Sequence, residues 1–213
     1  MSLRNRVSPE GTIENSSSRG TVMGNRGLLH NSNKELKRLF KTKAWITCVL
    51  EFKGRRRELM SPNAYTELFF LDEVTAFAAA HRPCAECRRA RYNEFRDAWA
   101  AANQWQDNSV VRAPQMDEIL HRERLENNQK VTWPQSVSEL PHGAMFRVGD
   151  ENLVVHDGEI LKWSFEGWGL PGELILPETV EVLTPRSVVN AFKGGFKPEF
   201  HSSSVGWKTL VEE

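Results

Sequence analysis

The stretch HRPCAECRR, residues 81–89, restricts the fold more than any other part of the sequence. It contains two of the three cysteines, Cys84 and Cys87, directly after Pro83. At the start of a helix, C-x-x-C spacing lets both thiolates point at one centre, about 2.3 Å from each sulfur when the metal is zinc. We therefore predict a zinc knuckle at this point of the chain.

Two ligands do not complete a structural zinc site, because four are usual. The chain has one other thiol, Cys48, and its nearest upstream imidazoles are His30 and His81. We predict a site formed by Cys84, Cys87, Cys48 and His30. Alone, Cys48 could also be a small buried apolar residue. A redox C-x-x-C is disfavoured, because a predicted helix rather than a strand precedes the motif.

The cysteine usage indicates a reducing compartment, and the hydropathy predicts no membrane segment. Three cysteines make a poor disulfide framework. No segment approaches the roughly 18 apolar residues of a membrane helix, and the N-terminus has no signal-peptide core. We expect a cytoplasmic protein without a membrane partner, while its oligomeric state has no signal in the sequence.

The residue patterns predict an α+β fold in two parts. Residues 1–22, which are rich in Ser, Gly and Arg, are expected to form a flexible arm. Residues 23–130 are expected to form a zinc-knuckle domain with strands and two to three helices. Residues 131–213 are expected to form a small antiparallel β-rich domain with one helix.

Individual elements follow from periodicity and turn residues. Residues 44–52 read as a strand, and residues 56–61 are expected to pair with it across a Lys-Gly turn. Asp72 is a plausible N-cap for a first helix. In the second part, short strands broken by Gly-Asp and Asp-Gly turns predict an antiparallel meander.

Residues 73–89, EVTAFAAAHRPCAECRR, resemble the second half of the Ada-type zinc domain, a module that binds methylphosphotriester DNA. The resemblance implies that Cys84 and Cys87 are the second ligand pair and that Arg82 and Arg88 lie near the DNA backbone. The family's first pair is Cys-x-x-x-Cys, one member being a methyl acceptor, whereas this chain has Cys48 alone upstream. The stretches MGNRGLLH and YTELFFLDEVTAFAAAHRPCAECRR also resemble an uncharacterised group of bacterial proteins, which implies no function.

A second metal interpretation comes from the zinc nucleobase deaminases. They also carry Pro-Cys-x-x-Cys at a helix start, with a His/Cys-x-Glu motif upstream. Here the upstream sequence is Cys48-Val-Leu-Glu51, which is one residue longer. In a continuous strand this spacing would place Glu51 on the face opposite Cys48.

The arginines suggest a polyanion partner. The chain is neutral overall, yet its first 60 residues carry 13 Lys and Arg against 5 Asp and Glu. We predict a phosphate-contacting surface, provided that the guanidinium groups share a face and are not taken up in ion pairs. The candidate nucleic-acid-binding residues are Arg26, Arg55, Arg56, Arg57, Arg82 and Arg88.

An aromatic loop, WSFEGWGLPG at residues 163–172, offers two interpretations. Trp163 and Trp168 could stack on a base or another planar ligand. Alternatively, they form an aromatic plug between the sheet and a helix.

Three functions remain open on these grounds. The first is a zinc-stabilised nucleic-acid-binding protein, with DNA repair or processing as its expected role. The second is a zinc enzyme acting on a nucleobase or small molecule, and the third is a structural zinc protein that binds another protein. The ligand count separates the first two, because four protein ligands indicate a structural zinc and three plus water indicate a catalytic one.

Overall fold

A computed structural model describes residues 3–55, 58–106 and 109–205. It confirms the α+β class, since these residues form two six-stranded sheets, a short hairpin and four α-helices. None of the described helices has the length and apolar composition needed to cross a membrane.

The first sheet holds the knuckle. Its strands lie in the order β2-β1-β5-β3-β4-β6, with parallel pairing in β1/β5 and β4/β6 and antiparallel pairing elsewhere. The strands are β1 (Arg4–Val7), β2 (Ile13–Asn15), β3 (Val22–Asn25), β4 (Ile46–Cys48), β5 (Leu68–Phe70) and β6 (Arg82–Pro83).

The second sheet is antiparallel throughout, in the order β13-β12-β11-β10-β14-β9. Its strands are β9 (Trp133–Ser136), β10 (Met145–Val148), β11 (Glu151–His156), β12 (Glu159–Trp163), β13 (Trp168–Gly169) and β14 (Thr179–Val182). A separate hairpin of β7 (Leu125–Glu126) and β8 (Gln129–Lys130) precedes this sheet in the chain. The predicted meander is β10-β11-β12. Its turns take the positive φ angles that Gly and Asp tolerate, at Gly149 and at Asp157-Gly158.

Four helices cover the sheets: α1 (Glu73–Ala78), α2 (Arg89–Ala102), α3 (Ala113–Arg124) and α4 (Arg186–Lys193). Asp72 is the N-cap of α1, as predicted, and accepts the Thr75 backbone N–H at 2.8 Å. On α2, Tyr92, Phe95 and Trp99 lie three and four residues apart and form one buried stripe.

Residues 1–22 contain regular structure, so the prediction of a flexible arm over this range is wrong. They include β1, β2 and the start of β3, and the side chain of Val7 is fully buried. Val7 and Ile13 belong to a hydrophobic cluster with Leu68 and Phe70 of β5. Because β1 pairs with both β2 and β5, the N-terminal segment is part of the sheet.

Hydrophobic clusters cross the boundary predicted near residue 130. One cluster joins Phe77 and Trp99 to Val188 of α4. Another joins Val74 of α1 to Met145 of β10. The first sheet and the second sheet also have one cluster each of their own. The helices of the first part therefore pack directly against the second part.

The hairpin predicted from residues 44–52 and 56–61 does not form in the described part of these segments. β4 covers only Ile46–Cys48, and residues 58–61 contain no strand. The two edges of β4 pair with β3 and β6 instead, so neither is available to the downstream segment.

Candidate metal centre

Strand pairing brings Cys48 and Cys84 together. β4 and β6 run parallel with Thr47 opposite Pro83, so Cys48 ends one strand and Cys84 directly follows the other. The backbone N–H of Cys84 donates to the Thr47 carbonyl at 2.8 Å. A turn then places Cys87 two residues before α2 begins. The three cysteines thus meet where two paired strands and a helix start converge.

The three sulfur atoms lie within 4.8 Å of one another. Cys48 and Cys84 are buried, Cys87 is half-buried, and all three are free thiols. Elsewhere in the described chain, no His, Asp or Glu side chain joins this group within that distance. The three cysteines could hold a metal ion through their thiolates, and their role as zinc ligands stays a prediction.

Hydrogen bonds and burial shift the pKa values of the three thiols in different directions. The pKa of Cys84 is lowered, chiefly by its hydrogen bond with the Cys48 thiol and also by backbone N–H donors. One of these donors is the Glu86 N–H, 3.4 Å from the Cys84 sulfur. The pKa of Cys48 is raised, first by the same hydrogen bond and then by burial. Burial raises the pKa of Cys87. The thiolate therefore forms first at Cys84.

A cavity of about 570 Å³ opens over the cysteine cluster. Of the three carboxylates that line it, Glu67 is buried, at 2% exposure, and accepts the Met60 backbone N–H at 2.9 Å. The others, Glu51 and Glu86, are exposed. Glu86 forms an ion pair with Arg55 at 2.8 Å. The aromatic lining residues are Phe52, Tyr65 and Phe69.

Glu51 lines the same cavity as Cys48, so the expectation that it lies on the opposite face is wrong. That expectation assumed a strand running through both residues. β4 ends at Cys48, and the alternation of faces does not continue beyond the strand end.

His30 does not join the cluster, so its prediction as a ligand is wrong. Its Nδ1 lies 2.6 Å from the Thr66 hydroxyl, and its Nε2 lies 3.2 Å from the Ser61 carbonyl. The imidazole is buried, with both nitrogens taken up by these two groups. It stabilises the loop after β3 rather than a metal ion.

His81, the weaker histidine candidate, is also outside the cluster. Its Nε2 accepts the Arg26 Nε–H at 3.1 Å, so its Nδ1–H donates to the Ala79 carbonyl at 2.9 Å. Burial, together with the charges of Arg26 and Arg124, holds its pKa well below the usual value. His81 is therefore a neutral residue of the core.

The described candidate arginines are buried or paired. Arg82 forms a bidentate pair with Asp117 at 2.8 and 2.7 Å. Arg88, 7% exposed, pairs with Glu73 at 2.9 Å. Arg26 is buried, Arg55 pairs with Glu86, and Arg56 and Arg57 lie outside the described residues.

This arrangement differs from the predicted face of unpaired guanidinium groups. Arg82 and Arg88 flank the knuckle in sequence, but their partners hold them against α3 and α1. They hold the segment that carries Cys84 and Cys87 against these helices. Nucleic-acid binding itself stays a prediction.

The aromatic loop contacts α1. The indole N–H of Trp168 donates to Asp72 at 2.7 Å, and that of Trp163 donates to the Thr75 hydroxyl at 3.1 Å. Trp168 is buried in a cluster with Val74. This geometry matches the aromatic plug, and a planar ligand at these rings stays a prediction.

Sequence reasoning missed Glu67, Glu73 and Asp117. Glu73 is buried between Arg88 and Arg91, and Asp117 holds Arg82. Glu67 directly precedes β5, so a carboxylate beside the apolar run Leu68–Phe70 was the available signal.

Scans of protein-family models, of curated proteins and of solved structures find no match to this chain. The three-cysteine cluster does not identify an Ada-type knuckle, and that resemblance stays a prediction.

Proposed function

We propose that the protein is a zinc-dependent hydrolytic enzyme acting on a small planar substrate. The observation that carries the proposal is a cluster of three cysteines beneath an open cavity. No fourth His, Cys, Asp or Glu ligand accompanies them within the described ranges. Three protein ligands with an open position are typical of catalytic zinc, whereas structural zinc sites are closed by four.

Zinc suits this set of ligands because thiolates bind it well and its tetrahedral site tolerates one exchangeable position. The thiols must remain reduced to bind it. A reducing compartment, the cytoplasm in our proposal, satisfies that requirement for Cys48, Cys84 and Cys87.

Three thiolates leave a zinc centre with one net negative charge, which weakens its action as a Lewis acid. Two features of this site counter that effect. The Glu86 N–H donates to the Cys84 sulfur and withdraws electron density from it. In addition, Cys87 lies just before the N-terminus of α2, where the helix dipole favours negative charge.

Glu67 is the residue to which we assign proton transfer. It is the buried carboxylate among the three that line the cavity, and it is not close enough to the sulfurs to join the ligand group. A positioned carboxylate can take a proton from water and return it to a leaving group. Zinc, when bound, would supply the Lewis acidity that activates this water.

The aromatic lining indicates the substrate class. Phe52, Tyr65 and Phe69 offer ring surfaces for stacking on a planar heterocycle. The reaction we propose replaces an exocyclic amino group by oxygen. Water adds to the ring carbon, the C–N bond breaks, and Glu67 carries a proton from the water to the departing ammonia.

One observation supports nucleic-acid binding as a second candidate function. Arg55 is exposed at the rim of the metal cavity, so a base entering the cavity could bring a phosphate close to it. An oligonucleotide titration separates this candidate from the enzyme. Binding of the oligonucleotide, with no ammonia release from free heterocycles, would support the nucleic-acid-binding candidate.

The Glu67→Gln variant tests the enzyme. Its amide oxygen can still accept the Met60 N–H, so we expect the fold and the metal content to be retained. Because proton transfer is lost, we expect the rate to fall by ~100-fold or more. The measurement is ammonia release by the zinc-loaded protein from a panel of amino-substituted pyrimidines and purines.

Glu58→Gln is the matched control. Glu58 is exposed, pairs with Lys34 and does not line the cavity, so this variant should keep the full rate. Full activity in Glu67→Gln would overturn the role of Glu67. Absence of ammonia release from the whole panel by the wild-type protein would overturn the proposed reaction.

A further inference from the structure

A second cavity, of about 140 Å³, shares no lining residue with the metal cavity. It lies between the Gly11-Thr12 turn and the β7-β8 hairpin. Three basic side chains line it, Arg26, Arg124 and Lys130. The cavity therefore concentrates positive charge in a partly enclosed space.

The two arginines are buried at 1% exposure each, and both contact Trp45. The guanidinium carbon of Arg26 lies 3.8 Å from the centre of the Trp45 ring, and that of Arg124 lies 4.5 Å from it. Cation–π contact holds both groups in place but neutralises neither.

Neutral groups accept the hydrogen bonds of both arginines. Arg26 donates to His81 and to the Gly11 carbonyl, and its Nη1 donates to no described residue. Arg124 donates to four backbone carbonyls, those of Leu120, Ala80, Lys43 and Asp117. Within the described ranges, neither arginine has a carboxylate within ion-pair distance.

Lys130 adds a third basic group to this set. Its Nζ donates to the Ala78 carbonyl. Its pKa is lowered to about 7, first by burial and then by Arg26 and Arg124. Burial also lowers the pKa of each arginine to about 9. The three groups are therefore close enough to repel one another.

The nearby carboxylates do not balance this charge. Glu10 lines the cavity, and its carboxylate also forms an ion pair with Arg147, with 3.8 Å between Oε1 and Nη1. Asp117 forms its bidentate pair with Arg82. Glu123 accepts hydrogen bonds from Ser187. A net positive charge remains around the cavity.

Buried charges are costly unless they are paired, so an anion in this cavity would stabilise the arrangement. A water molecule needs roughly 10–15 Å³ of such volume, and this cavity offers about ten times more. That is room for one phosphate group but not for a stretch of nucleic-acid backbone.

We propose that this cavity binds a single phosphate group, held by Arg26, Arg124 and Lys130. The Nη1 group of Arg26 is the donor with unused capacity, and a planar guanidinium suits phosphate oxygens. The phosphate can be the free ion or part of a phosphorylated small molecule. The site does not depend on the metal centre.

The test uses the full-length protein and inorganic phosphate. Calorimetric titration of the wild type should show saturable binding, and phosphate should raise its Tm more than sodium chloride of equal ionic strength does. The Lys130→Met variant should bind phosphate roughly tenfold more weakly or worse, because a charge-assisted hydrogen bond is lost. Lys193→Met, an exposed lysine at the end of α4, should bind like the wild type.

A nucleoside 5'-monophosphate distinguishes the two sources of the phosphate group. Competition with inorganic phosphate would assign a phosphorylated ligand, and binding of inorganic phosphate alone would assign the free ion. If Lys130→Met does not fold, the phosphorus NMR signal of phosphate titrated with the wild type decides the question. Absence of saturable binding by either probe, or unchanged affinity in a folded Lys130→Met, would overturn the proposal.

Discussion

The Cys84→Ser variant should bind no zinc under conditions in which the wild type binds one ion per chain. Cys84 lies next to both other ligands, since it follows the strand paired with that of Cys48 and begins the turn that carries Cys87. With two thiolates left, the site falls below the three protein ligands that catalytic zinc sites use. The measurement is metal content by elemental analysis after dialysis.

Loss of the metal should also lower the free energy of unfolding. An ion that binds only the folded state stabilises it by about 4 kcal/mol when its free concentration is a thousand times its Kd. The hydrophobic clusters remain without the metal, so the variant should still fold. Zinc should therefore raise the Tm of the wild type and leave that of Cys84→Ser unchanged.

Ala85→Ser is the matched control for this experiment. It introduces the same hydroxyl in the same turn while all three thiols remain. It should bind one zinc ion. A Cys84→Ser protein that retains stoichiometric zinc would contradict the assignment of the ligands.

Asp117→Ala should destabilise the protein by about 3–5 kcal/mol, because it leaves a buried guanidinium without its counter-charge. The side chains of Arg82 and Asp117 are 5% and 7% exposed, and two hydrogen bonds join them. Arg82 belongs to β6, the strand that Cys84 directly follows, so the loss also loosens the segment that places Cys84 beside Cys48. Urea unfolding of the metal-free protein measures this effect separately from zinc binding.

Asp97→Ala provides the comparison for that variant. Asp97 pairs with Arg96 on the surface of α2, and its side chain is 65% exposed. Exposed pairs of this kind contribute little to stability. Equal losses in the two variants would show that the buried pair between α3 and β6 has no special role.

The sequence was sufficient to predict that Cys48, Cys84 and Cys87 lie together. The chain has three cysteines, the C-x-x-C motif fixes two of them on one turn, and Cys48 is the one thiol left. The sequence was also sufficient to predict local structure where capping and turn residues give a strong signal. Asp72 caps α1, and Gly and Asp residues form the turns of the meander.

Pairing between distant segments was not predictable in the same way. β6 has two residues and β2 has three, which is too short for any alternation of apolar and polar residues to be recognised. The position of Cys84 beside Cys48 depends on β6, and the regular structure of the N-terminal segment depends on the pairing of β1 and β2. Long-range contacts decide both.

The partners of charged and polar side chains were likewise not predictable from the sequence. Arg82 and Asp117 are 35 residues apart in sequence, and His30 and Thr66 are 36 apart. A run of arginines near a metal motif therefore suggested a basic face, although the tertiary structure supplies a buried acid to Arg82 and to Arg88. The same limit concealed Glu67, whose role depends on the cavity around it.

X-ray absorption spectroscopy of the zinc-loaded protein tests the central proposal most directly. We predict three sulfur neighbours at about 2.3 Å and one oxygen neighbour at about 2.0–2.2 Å, the pattern of a three-thiolate site with an open position. A second spectrum with a bound substrate analogue should keep the three sulfurs and change only the light-atom neighbour. A fourth protein ligand, recognised by the scattering pattern of an imidazole ring or by a coordination sphere that the analogue leaves unchanged, would contradict the proposal and indicate a structural zinc.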